Sequence, residues 1–135
     1  MNFNWDNTLS TGIKSIDNQH KELFDRINLL VSAMKSGKGK DEVLKTLNFL
    51  EEYVIKHFSE EEEIQKKNNY PKYNDQHKQH EEFKNELKEL RKVFQATGVS
   101  ALFVINVQQK MSNWWRQHII NLDKELGEFL IEKSR

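Results

Sequence analysis

The chain has 135 residues, with 21 Lys plus Arg against 21 Asp plus Glu, five histidines, one proline, five glycines and no cysteine. That length fits one domain, and residues 1–135 read as a single unit. Zero formal net charge gives no bulk electrostatic case for nucleic acid or an anionic membrane, and the lack of cysteine excludes disulfides, zinc–thiolate sites, iron–sulfur clusters and a Cys nucleophile.

The N-terminal arm, Met1 to about Ile16, has apolar points at Trp5, Leu9, Ile13 and Ile16, while Gly12 and the surrounding polar residues argue against a regular element. It has no basic segment leading into an apolar stretch, so no secretory signal is expected and the chain reads as cytoplasmic. No apolar run approaches the roughly 20 residues of a membrane span, so no membrane insertion is expected.

A first helix is expected from Asp17, as N-cap, to the Gly-rich turn Ser36 to Lys40. Its stripe is Leu23, Phe24, Ile27, Leu30, Val31 and Met34, with His20 on the same face. A second starts with Asp41 as cap and follows Val43, Leu47, Leu50, Val54, His57, Glu61 and Ile64, a heptad seam, before stopping near Asn68 to Pro71. A third restarts near Asn74 or Asp75, carries His80, Phe83, Leu87, Leu90 and Phe94, and ends near Thr97-Gly98. A fourth, with Ser100 as cap, carries Val104, Val107, Met111, Trp114 and His118 and then passes Leu122 and Asp123. A short amphipathic tail follows with Leu126, Phe129 and Leu130. Long helices joined by short turns predict an all-α, up-down-up-down antiparallel four-helix bundle with an N-terminal arm and a C-terminal helical tail.

Every histidine, His20, His57, His77, His80 and His118, lies at or beside a predicted core stripe, as do Glu61 and Asp123. Burying these groups unpaired would cost a few kcal/mol each, against a net stability of about 5–15 kcal/mol for such a domain. Histidine–carboxylate hydrogen bonds could satisfy single pairs such as His57 with Glu61. Imidazoles and carboxylates spread over all four helices need a convergent partner, and a metal centre supplies one: iron, zinc, manganese and copper all accept such ligands. The set is too large for one tetrahedral zinc. Two metals bridged by the two carboxylates would use all of it and could leave one coordination position free. His57 and Glu61 are i and i+4, and His77 and His80 are i and i+3, each pair on one helix face. His118 and Asp123 are i and i+5, which requires the helix to turn or fray near Asn121 to Asp123, or Asp123 to reach back.

The ordered fragments resemble the hemerythrin family in its single-domain bacterial form. They are Trp5, Gly12-Ile13, Ile16-Asp17-x-Gln19-His20-Lys21-x-Leu23-Phe24, then His57-Phe58-x-x-Glu61-Glu62, Tyr70-Pro71, His77/His80 running into Glu81-x-Phe83, and Trp114-x-x-x-His118-Ile119 with Asp123. The resemblance implies a non-haem di-iron centre with a bridging oxo or hydroxo group that binds dioxygen reversibly as a hydroperoxide. Glu61 and Asp123 would bridge the irons. His20 and His57 would complete the open iron, and His118 with the helix-three pair the full one. An oxygen pocket of Phe24, Trp114, Trp115 and Ile119 is implied, as is an unidentified oxygen-consuming recipient protein. The chain lacks the Glu-x-x-His motifs of oxygen-activating di-iron proteins, so the reading is a carrier and not an enzyme. The alternatives are a di-iron oxidase or peroxidase, or an NO- or O2-sensing protein.

Two departures stand out. The family pairs His-x-x-x-His on helix three, whereas here Gln76 stands four before His80 and the imidazole is at His77. Gln is a poor iron ligand, so His77 is the expected ligand, although the heptad seam extended backwards lands on Gln76; the alternative is Gln76 facing the iron, with water completing that site and that iron more weakly held. Trp115 replaces the family's usual pocket leucine. It either narrows the pocket or rotates outward and packs against the arm or a neighbouring helix.

Overall fold

The first long helix begins earlier than its capping pattern predicts. In the computed structural model, which describes residues 4–37 and 39–134, α1 spans Lys14–Lys35, three residues ahead of Asp17. Asp17 is therefore not the N-cap. It sits in the first turn, where its carboxylate accepts from the Thr11 backbone N–H and hydroxyl, both at 2.8 Å, and from Ser10 Oγ at 2.7 Å. The arm is thus tied to α1 by a buried carboxylate, after a short 3₁₀ turn at Asn7–Leu9.

The α2 helix spans Lys40–Lys67, entered through Gly39 at φ +89°, a value that favours glycine. The α3 helix spans Tyr73–Thr97, and α4 spans Ala101–His118 with Ser100 Oγ accepting from Phe103 N–H at 3.1 Å, as its sequence predicts. The chain then continues through a π-helical stretch, Ile119–Asp123, directly into α5, Lys124–Lys133. Met1 to Phe3 of the expected arm, Lys38 of the expected Gly-rich turn and Arg135 lie outside the described residues.

Packing follows the stripes. Neighbours α1–α2, α2–α3, α3–α4 and α4–α1 close a ring, which makes an up-down-up-down bundle. The core runs from Leu30, Val31, Val43 and Leu47 at one end to Phe58, Phe83 and Trp115 near the polar layer. Beyond that layer a second cluster, Ile16, Tyr70 and Leu126, joins the start of α1, the α2–α3 turn and α5, with Ile13 of the arm packed against it. No helix among the described residues is long and apolar enough to cross a membrane.

Candidate metal centre

Four imidazoles and two carboxylates meet in the middle of this bundle, all almost fully buried: His20 from α1, His57 and Glu61 from α2, His80 from α3, His118 from α4 and Asp123 from the π-helical stretch. The π-helix resolves the awkward His118–Asp123 spacing. Its widened i to i+5 turn brings two residues five apart onto one face.

The arrangement is two-sided. Glu61 directs one oxygen to His57 Nε2 and the other to His80 Nε2, each at 3.3 Å. Asp123 places one oxygen 3.0 Å from His20 Nε2 and the other 3.2 Å from His118 Nε2. Each carboxylate therefore reaches both halves. His20, His57 and Glu61 form one group whose candidate donor atoms lie within 4.8 Å of one another, and Glu61, His80 and His118 form the second.

Acceptors behind the rings set their orientation. His57 Nδ1 meets Gln19 Oε1 at 2.5 Å, and Gln19 Nε2 donates to Glu60 at 3.0 Å, which leaves Oε1 as an acceptor and puts the hydrogen on Nδ1. His80 Nδ1 donates to Glu62 at 2.7 Å and His118 Nδ1 to Gln79 Oε1 at 2.8 Å. In each case Nε2 is left as the inward lone pair, the tautomer a metal requires. His20 Nδ1 has no such partner among the described residues. Sequence reasoning assigned no role to Gln19, Gln79 or Glu62, although each directly follows or precedes a residue of the cluster in the chain.

Protonation favours cation binding. Burial pushes His57 well below its ordinary value, with His20 adding to the effect. His80 is pushed down to about 4 by burial and then by His118. Burial and the neighbouring Asp123 raise Glu61 well above the carboxylate range. Burial also pushes Asp123 up, but His118 and His20 outweigh it and hold it well below that range. His57 and His80 are thus held neutral, and Glu61 keeps a proton that an entering cation would displace.

The inward Nε2 atoms of His20, His57, His80 and His118, both Glu61 oxygens and one Asp123 oxygen make no properly oriented hydrogen bond. So many convergent buried lone pairs are tolerated only where something else binds them. The donors fit two borderline cations sharing two carboxylates.

The expectation that His77 joins this set is corrected. Its side chain is 46% exposed, and its Nδ1 turns outward to Glu62 at 2.8 Å. Gln76 occupies the inward position, fully buried, with Nε2 donating to Asp123 at 3.0 Å. Four of the five histidines therefore converge, and the heptad seam predicts α3 better than ligand chemistry does. Trp115 packs inward: it is fully buried, its ring centroid 6.0 Å from that of His20, 6.1 Å from His57 and 5.9 Å from His118. Half-buried Trp114 stacks on His118 at 4.6 Å and 12°. Phe24 and Ile119 belong to the same apolar core.

The model of the hemerythrin HHE cation-binding domain matches residues 11–130. The chain belongs to the hemerythrin family. It is 34% identical over 119 residues to a bacteriohemerythrin of Pseudomonas paraeruginosa, covering 88% of this chain and 75% of that one. It is 28% identical to myohemerythrin of Sipunculus nudus, over 88% of this chain and 86% of the relative. A solved wild-type hemerythrin superposes with a TM-score of 0.76 at 28% identity, covering 87% of this chain and 88% of that one. Each half of the cluster thus holds one pair of imidazoles and one oxygen from each carboxylate.

Proposed function

We propose that the chain is a dioxygen-binding protein built around two non-haem irons, His20 and His57 serving one and His80 and His118 the other, with Glu61, Asp123 and an oxo or hydroxo group between them. The observation that carries this reading is that each carboxylate reaches an imidazole in both halves. The irons would supply the two electrons that dioxygen takes up reversibly. The chain's own residues do the rest. Gln19, Glu62 and Gln79 hold the rings with Nε2 inward. Trp115, Phe58 and Trp114 cover the centre with aromatic surface and keep bulk water and protons away. Phe24 and Ile119 would complete the apolar pocket.

The imidazole-rich donor set favours carriage, storage or delivery over oxidation, and the protein is read as a cytoplasmic carrier, one domain over its whole length, serving an oxygen-consuming recipient. The test is metal analysis with an anaerobic oxygen titration on one sample. Two irons per chain and a visible charge-transfer band that appears with oxygen and fades on its removal are expected. Fewer than two irons, or rapid irreversible oxidation without a reversible band, would overturn the reading.

A further inference from the structure

Gln76 brings an amide, not an imidazole, to the inner face of α3. Its Nε2 donates to the same Asp123 oxygen that lies 3.2 Å from His118 Nε2, and it stands one helical turn from His80, so its amide belongs to the His80/His118 half. That hydrogen bond fixes the planar amide, and its Oε1 is buried with no partner. Two other buried polar side chains accompany it. Gln65 follows Glu61 by one turn of α2, fully buried, with neither amide atom partnered. Tyr70, in the α2–α3 turn, buries an unpartnered hydroxyl, and its backbone N–H donates to the Gln65 carbonyl at 2.9 Å. Buried amide and hydroxyl groups left without partners are costly, and these three flank the α2–α3 turn, from the end of α2 to the start of α3, with Gln76 reaching the cation site itself.

We infer that the His80/His118 half keeps an exchangeable position beside Gln76, so that the centre accepts two small exogenous ligands, one on each half, and not one. Gln76 Oε1 accepts from a protic ligand such as water or hydroxide there, and the Gln65 amide donates to an anionic one. This inference rests on the di-iron reading above and deepens it.

The test uses the iron-loaded full chain with azide on the oxidised form and nitric oxide on the reduced form. Ligand stoichiometry is read by calorimetry and by the iron environments in Mössbauer spectra. Two azides or two nitric oxides per pair of irons, with the two irons nearly equivalent, are expected. Q76H supplies the third imidazole and is expected to reduce the count to one and make the irons inequivalent. Q65L, which keeps the side chain's bulk, is expected to weaken the second azide relative to the first by about tenfold. A chain that loads two irons but takes one ligand, with inequivalent irons, overturns the inference and leaves the di-iron reading standing. A chain that does not load two irons overturns both.

Discussion

Glu62 holds His80 from behind: one carboxylate oxygen lies 2.7 Å from His80 Nδ1, and the other binds His77 Nδ1 at 2.8 Å and Tyr73 Oη at 3.1 Å. Burial pushes this carboxylate up, but the hydrogen bonds from His80 and His77 outweigh it and keep Glu62 below its ordinary value, hence charged. A charged acceptor raises the basicity of His80 Nε2 and locks the ring. His77 thus contributes from outside the cluster, as a second hydrogen-bond donor to the residue that orients His80.

E62A is expected to lower metal affinity about 10–100-fold, as loss of such an outer partner does, with faster iron loss to a chelator and unchanged helical content. H77A is expected to keep both irons and to change stability by about 0.5 kcal/mol or less, since its ring is largely exposed. Iron analysis of the two variants decides. An H77A protein that loses iron while E62A retains it would return His77 to the ligand set.

The legible part of this protein was its periodicity. The bundle and most core residues follow from apolar spacing, and the same spacing placed His20, His57, Glu61, His80 and His118 on the inner stripes. It also points to Gln76, whereas His77, chemically the better ligand, lies one residue off that inner face. Two features were less readable. The i to i+5 spacing of His118 and Asp123 requires a distortion near Asn121 to Asp123, but its form, a π-helical stretch running on into α5, depends on how α4 and α5 pack. The role of Glu62 was hidden in the run Glu60 to Glu63, which reads as a solvated face until α3 is packed against it.

The metal-free protein should lose stability in mild acid, and the sign follows from the shifted groups. His57 and His80 are held below their ordinary value, His80 at about 4, so the unfolded chain binds two protons that the folded chain refuses as pH falls below about 6.5. Glu61 is raised, so the folded chain keeps one proton that the unfolded chain releases above about 4.5. The balance over about pH 6 to 4.5 is one proton in favour of the unfolded state, and stability falls with pH by about 1.4 kcal/mol per unit at most. Asp123, held low, enters only in stronger acid. E61Q removes the opposing group and is expected to steepen the slope towards two protons. Denaturant titrations of both metal-free proteins across this range check it, and an E61Q slope equal to or shallower than the parent's would contradict the assignment.

Trp115 is placed to control entry to the centre, since its ring contacts those of Phe58 and Phe83 as well as facing three of the imidazoles. W115L exchanges a bulky ring for a smaller side chain in a fully buried position. The room gained is expected to speed azide binding and release about tenfold, a barrier change of about 1.4 kcal/mol, and to hasten autoxidation. The cavity costs about 1–3 kcal/mol of stability, below the full cost of truncation to alanine. Stopped-flow azide kinetics measure the effect, and rates unchanged from the parent would show that small ligands enter by another route.

Gly127 shows how the arm is held independently of the centre. A Cβ built there would lie 2.0 Å from the Thr11 carbonyl oxygen and 2.9 Å from its carbon, both backbone atoms. Thr11 cannot yield easily, because Asp17 fixes its N–H and hydroxyl from α1. G127A must therefore separate α5 from the arm or break the Asp17 contacts. The expected loss is about 1–3 kcal/mol, the range for overpacking, read as a lower midpoint in thermal unfolding and faster proteolysis within the arm. D17A releases the same segment without a clash and should reproduce the proteolysis. Because Asp17 precedes His20 by less than one turn of α1, iron content separates two possibilities. Full loading in G127A would mean that the arm stabilises the bundle without shaping the centre, although its Leu9 belongs to the same core cluster as Phe24 and Trp115. A G127A protein with the parent's unfolding midpoint would mean that the arm is not docked on α5 in solution.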